Sequence, residues 1–345
     1  MSTIHKYVIL ANPGHNRIYF EAALSIAHSE ITAMLAGLNI HVETSLDSDI
    51  GLPAALAFST TEALSQEAQT RLTGASIYYA LFEVVEGDLL RPLSPEPTHT
   101  FPQSMSQILR YTGKTNEQFT RLMINLAVSA AQTNSEQITL LDPMCGKGTT
   151  LYEGLIQGLN VVGVEINPKS VHEIQTFIVK FMKNGRFKHK TQKLKQSAQG
   201  KKVADGFLLE AAAKKEAFNA GDTQQLRLYA ADTRIADQVL KKNSCDVMVS
   251  DLPYGVQHGS KSAKDVKMAR SPLELVDDSL HAWKAVLKPK GAIVLSFNEF
   301  TLKWRSLAQV FENHGFKVLS EAPYSGYLHK VDSSINRNIL VAVKP

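Results

Sequence analysis

From residue 138 onward, short apolar runs alternate with segments of helical periodicity, and few arrangements of a chain satisfy that pattern. Strands are predicted at Ile138–Asp142, Val161–Glu165, Leu226–Ala230, Cys245–Asp251, Gly291–Phe297, Phe316–Leu319 and Asn338–Val343. Helical patterns lie between them at about 148–157, 168–183, 273–287 and 301–314. Strands that take turns with helices across short links make a mostly parallel, doubly wound α/β sheet. The last two runs, within 316–324 and 337–344, have no helix between them, so they are expected to form an antiparallel hairpin.

The N-terminal part reads differently. Tyr7–Ala11 is a strand and 17–37 has helical spacing closed by Gly37. Strands are expected at 38–44 and 53–58, a helix from Thr60 or Thr61 to about 72, and a strand at 76–85. That β-α-β-β-α-β order fits a small ferredoxin-like α+β domain over residues 1–90. The proline-rich stretch 91–104 reads as a linker, leaving 105–345 for the second domain, whose helix at about 116–132 precedes the alternating region.

Composition narrows the class. With 345 residues, two domains fit better than one. Two cysteines, Cys145 and Cys245, make neither a disulfide framework nor a zinc site, which suits a reducing, cytoplasmic setting. No apolar run is long enough to span a bilayer, and no His/Cys spacing suggests a metal.

Four strand ends carry the chemistry. After the first, Asp142-Pro143-Met144-Cys145-Gly146-Lys147-Gly148-Thr149 makes a glycine turn that opens a helix. Glycines let a ligand approach the backbone at the carboxyl edge of an open sheet. The run satisfies neither the dinucleotide nor the P-loop phosphate pattern. The second strand ends in Glu165, placed for ribose hydroxyls. The third is followed by Asp232, which suits either an adenine amine or a helix cap. A nucleoside without a phosphate cradle points to S-adenosylmethionine. Finally, Asp251-Leu252-Pro253-Tyr254 ends a buried strand. A carboxylate and a backbone carbonyl there can accept both hydrogens of an exocyclic base amine, and a tyrosine can stack on the base.

DPMCGKGT, VEINP and DLPYG together resemble the class I S-adenosylmethionine-dependent RNA methyltransferases of the THUMP-associated group, which includes the tRNA guanosine-N2 enzymes. The resemblance covers about 105–345 and implies a Rossmann-like sheet. It implies that Asp142, Cys145, Gly146, Gly148 and Thr149 line the cofactor site, that Glu165 holds the ribose and that Asp232 meets the adenine. It further implies that Asp251, the Leu252 carbonyl, Pro253 and Tyr254 hold the target amine, and that the segment Gly113–Arg121 closes over the cofactor. Leu252 stands where many members have proline. About 90 N-terminal residues are too few for both accessory domains of the full enzymes. The alternatives are an adenine or cytosine N-methyltransferase acting on DNA or rRNA, and a non-catalytic RNA-binding protein.

The net charge of +4 conceals a cluster. Lys180, Lys183, Arg186, Lys188, Lys190, Lys193, Lys195, Lys201 and Lys202 fall in one acid-free stretch, which runs into an insertion at about 183–222. Its residues from Arg186 to Lys202 are expected to contact RNA phosphates; the alternative is a solvated loop.

Overall fold

The computed structural model describes residues 4–14, 17–45, 52–86, 89–109, 114–253 and 271–345. Its first sheet is built from β1 (His5–Ala11), β2 (Val42–Ser45), β3 (Ala55–Thr60), β4 (Tyr78–Val84) and β5 (Leu90–Leu93), with α1 (Arg17–Ala36) and α2 (Gln66–Leu72) in the connections. The strands lie in the order β2-β3-β1-β4-β5, and every pair is antiparallel. Strand β5 corrects the linker expected from residue 91. Pro92 has no N–H to donate, but an outer strand tolerates this because its free edge needs no ladder bond. Farther along, Phe101 and Met105 are buried, Met105 in α3 (Ser104–Gln107), and the Thr100 N–H donates to Ile156 O (2.8 Å). The proline-rich stretch is therefore packed against the rest of the chain.

The second sheet uses β6 (Thr139–Asp142), β7 (Asn160–Glu165), β8 (Lys188–Ala198), β9 (Lys201–Ala212), β10 (Gln224–Ala230), β11 (Cys245–Asp251), β12 (Leu287–Asn298), β13 (Lys317–Leu319), β14 (His329–Lys330) and β15 (Asn336–Val343). Its order is β13-β15-β12-β11-β6-β7-β10-β9-β8, with β14 also on β15. The five strands from β12 to β10 run parallel. Strand β15 enters antiparallel between β12 and β13, as the helix-free C-terminal segment predicts. This is a Rossmann-like sheet. Helices α4 (Glu117–Ala130), α5 (Thr149–Ile156) and α6 (Pro168–Asn184) contribute to the apolar core on one face. On the other lie α8 (Ala236–Val239), α9 (Pro272–Val286) and α10 (Trp304–Asn313). A strand covered on both faces must be apolar throughout: in β11, Val247 and Val249 join one core while Cys245 and Met248 join the other.

The insertion is not the solvated loop of the alternative reading. Residues 188–212 form the hairpin β8–β9, and β9 pairs antiparallel with β10, so the hairpin extends the sheet. The short α7 (Lys215–Ala220) then leads into β10.

The two sheets meet at α4. Its Gln118 side chain donates to Asn12 O and Ser76 O (both 3.2 Å). Asn125 Nδ2 donates to Gly74 O (2.8 Å) and to Oε1 of Glu30 (2.6 Å), a fully buried acid on α1. Glu30 also accepts from the Ser76 N–H (2.9 Å) and hydroxyl (2.5 Å). Burial raises its pKa, although these hydrogen bonds favour the ionised form. One apolar core runs through this junction, from Ile9 and Ile31 to Leu122, Leu140 and Val249.

Candidate functional site

Strand β6 stops at Asp142 because Pro143 and the two glycines turn the chain. Gly146 and Gly148 both have positive φ (52° and 88°), a region that penalises side chains. The turn is tied to the neighbouring strand: the Cys145 N–H donates to Val164 O (3.0 Å), and the Gly146 N–H donates to Glu165 Oε2 (2.9 Å). Glu165 Oε1 accepts from the Asn167 N–H (2.8 Å). Glu165 thus holds the turn while its carboxylate keeps lone pairs for a further donor, since two oxygens offer about four acceptor sites. A Cβ placed on Gly146 would meet nothing within 4 Å, so the outer side of the turn is open.

Asp142 is 3% exposed. Burial pushes its pKa up to about 6, against the opposing effect of hydrogen bonds from Ser250, Thr150 and the Met144 N–H; Glu165 adds to the rise. The Ser250 hydroxyl donates to Asp142 Oδ1 (2.8 Å), joining the end of β11 to that of β6. One residue on, Asp251 Oδ1 accepts from the Ser296 hydroxyl (2.7 Å), and Oδ2 accepts from Thr115 Oγ1 (2.5 Å). Ser296 is the register partner of Asp251 on β12. Thr115 immediately precedes Asn116, whose side chain caps α4 by accepting from the Phe119 N–H (3.0 Å). The carboxylate is therefore aimed by two hydroxyls from separate elements. Leu252 is buried and donates its N–H to Ser296 O (2.8 Å), which fixes the direction of the chain leaving the strand.

The expected residues divide as follows. Asp142, Gly146, Gly148, Thr149 and Glu165 share the carboxyl edge of β6 and β7, with Asp251, Leu252 and Pro253 at the end of β11. Cys145 lies in the turn, but its thiol faces inward: Sγ is 2.9 Å from where a Cβ on Gly163 would lie, so any part it plays toward a ligand falls to its backbone. Burial raises its pKa well above that of a free thiol, and burial pushes Cys245 up to about 12. Neither is a ready thiolate nucleophile. Asp232 caps a 3₁₀ turn (Thr233–Ile235), accepting from the Arg234 N–H (2.9 Å), and it also binds the Arg234 guanidinium (2.5 Å). The Asp232 carboxylate thus caps the turn. Tyr254 and Gly113 lie outside the described residues. Thr115, Ser250 and Ser296 are additions from the structure. A lone serine near the end of an apolar strand, as in DVMVSD and AIVLSFN, was the available signal, because a buried hydroxyl requires a partner.

Lys180 and Lys183 lie on α6, Arg186 precedes the hairpin, and the other basic residues are spread over it. Opposite Lys190 and near Lys202, β9 supplies Glu210 and Asp205, with which those lysines form ion pairs. The acid-free stretch thus gains acids from the strand beside it. Among the described residues no His/Cys/Asp/Glu group has a metal-binding arrangement, and no helix is long and apolar enough to cross a membrane.

The model for the UPF0020 family, described as RMKL-like methyltransferase domain, matches residues 109–317. No curated protein matches the sequence. Among solved structures, TrmN from Thermus thermophilus is similar over 99% of this chain and 100% of its own, at 12% identity and a TM-score of 0.45. The rRNA methyltransferase aviRa from Streptomyces viridochromogenes is 15% identical over 69% of this chain and 89% of its own, with a TM-score of 0.40. ChlM from Synechocystis, a magnesium protoporphyrin IX methyltransferase crystallised with S-adenosylmethionine, is 15% identical over 68% and 87%, with a TM-score of 0.38. The family match spans more than half of the sequence and takes in the glycine turn, the acid-tipped strand and Asp251; the chain belongs to the UPF0020 family of RMKL-like methyltransferase domains.

Proposed function

We propose that this protein transfers a methyl group from S-adenosylmethionine to an exocyclic base amine of RNA, with guanosine N2 of tRNA as the first substrate to test. The observation that carries the reading is Asp251, held by Ser296 and Thr115 at a strand tip beside the glycine turn. Three features support the cofactor: Glu165 keeps acceptor capacity that suits a ribose, the open side of Gly146 leaves room for close approach, and Asp142 adds a second acid at the same sheet edge. When bound, S-adenosylmethionine supplies an activated methyl on a sulfonium, whose C–S bond breaks as the new N–C bond forms.

The protein's share of the work is placement. An exocyclic amine is a weak nucleophile because its lone pair is delocalised into the ring. Asp251 accepts one N–H and the Leu252 carbonyl the other, turning the lone pair out of the ring plane. Asp251 then takes the proton that the alkylated nitrogen releases. A paired target must first leave its helix. Tyr254 is the proposed stacking partner, and the hairpin cations are proposed to hold phosphates. The test is label transfer from S-adenosylmethionine to bulk tRNA, rRNA and duplex DNA, followed by nucleoside mass spectrometry. Label in N2-methylguanosine from tRNA is expected. Asp251→Ala should lower transfer at least about 100-fold with cofactor affinity retained. Transfer that persists in this variant, or label that appears only in DNA, overturns the reading.

A further inference from the structure

Pro168, Val171, His172 and Gln175 recur along α6 at the spacing that puts residues on one helical face. That face and the β9 residues from Lys202 to Phe207 flank an open cleft of about 420 Å³, which also reaches Ala230, the last residue of β10. The volume lies in the ~300–1,000 Å³ range of small-ligand pockets and suits a single nucleoside rather than a peptide. Its chemistry is mixed. Pro168, Val171 and Phe207 offer apolar surface to the faces of a ring, and the His172 imidazole offers a plane to stack on. The Gln175 amide both donates and accepts, as a base edge requires, and Asp205 accepts.

The surroundings are charged in one sense. Lys193 is the register partner of Phe207 and Lys195 that of Asp205, so both lysines stand on the hairpin face that forms the cleft wall. Lys202 stands at the mouth with its side chain 56% exposed; its pairing with Asp205 is a surface pair of small energy that a phosphate can displace. In the sheet the β10 end of the cleft is three strands from Asp251 on β11, with β7 and β6 between them, and its β9 wall is four. That is about 14 to 19 Å at the usual strand spacing, a span that a few nucleotides of extended strand can bridge.

We infer that this cleft is a second nucleoside site: it holds an unstacked base of single-stranded RNA near the methylated nucleotide, while Lys193, Lys195 and Lys202 follow its phosphates. The inference rests on the RNA reading above. A nucleoside could also come from the cofactor, so the test separates the two sources. Binding of short fluorescein-labelled oligo(A) and oligo(U) is measured across a salt series for the full chain, for His172→Ala at an exposed helix position, and for Gln175→Trp, which fills the cleft. Affinity for S-adenosylhomocysteine is measured on each protein. Both variants should bind the better oligonucleotide roughly tenfold more weakly, as for the loss of one base contact. Their salt slope should be unchanged, because no phosphate contact is lost, and S-adenosylhomocysteine affinity should be retained. If the wild type binds RNA and both variants match it, the cleft is overturned and the RNA reading stands. A loss of S-adenosylhomocysteine affinity in His172→Ala assigns the cleft to the cofactor and overturns the inference. If the wild-type chain binds neither oligonucleotides nor tRNA, the RNA reading falls and the cleft with it.

Discussion

Two hydroxyls, on Thr115 and Ser296, stand behind Asp251. A carboxylate in the role proposed for Asp251 gains from having its rotation stopped beforehand, and each hydroxyl leaves the oxygen it binds with a further lone pair. Thr115→Val removes the hydroxyl at almost constant volume. It should lower kcat about tenfold or more with little change in KM, and Thr115→Ser should restore most of the loss. Steady-state kinetics on tRNA check this; an equal fall in the thermal midpoint of both variants would mark Thr115 as merely structural. Asp142 yields a pH dependence. Its folded pKa, raised to about 6, means the native protein keeps this proton where the unfolded chain has lost it, so the group's contribution to stability declines as pH rises from about 4 to about 6. The sulfonium and ammonium of S-adenosylmethionine favour the ionised form of a nearby carboxylate. Affinity for S-adenosylmethionine should therefore be full about one pH unit above the Asp142 pKa and fall on acidification, by up to about tenfold per pH unit. Calorimetric titration of wild type and Asp142→Asn checks this; the variant should lose the pH dependence.

Among the elements, α4 carries several tasks: it opens at Asn116 next to Thr115, packs on the parallel sheet and meets α1. Its Arg121 donates to Glu153 of α5 (3.0 Å), and the two side chains are 4% and 0% exposed. Arg121→Ala leaves a buried carboxylate without its cation and should cost about 3–5 kcal/mol, read from urea unfolding. The elements also differ in how far sequence declared them. Strand β11 was legible because Cys-Asp-Val-Met-Val-Ser-Asp buries both faces, and α6 was legible from Asn167-Pro168 and its apolar spacing. The hairpin β8–β9 was not. Lysine-rich β8 has no apolar face, and its strand state comes from ladder bonds to β9, which in turn takes up the open edge of β10. The same applies to β5, where Leu-Arg-Pro-Leu reads as a break until β4 offers it an edge. In the site, the acids and glycines announced themselves by type and spacing. Thr115 did not, because its contact with Asp251 spans 136 positions of sequence.

At the scale of the molecule, the continuous core and the Glu30–Asn125 junction bear on cooperativity. The layers that sequence divides near residue 91 share one apolar interior, so scanning calorimetry should give a single unfolding transition whose calorimetric and van't Hoff enthalpies agree. Two resolved peaks would show that the layers unfold independently. Among the described residues, strand β8 is the last in its sheet, and one of its edges has no ladder partner there. A bare edge is a template on which a second chain can add itself, and lysines along such an edge discourage that by self-repulsion and by their hold on water. Under the proposed function, Lys188, Lys190, Lys193 and Lys195 therefore answer to two selective demands, attraction toward a polyanion and mutual rejection between copies, and neither can be relaxed by mutation without touching the other.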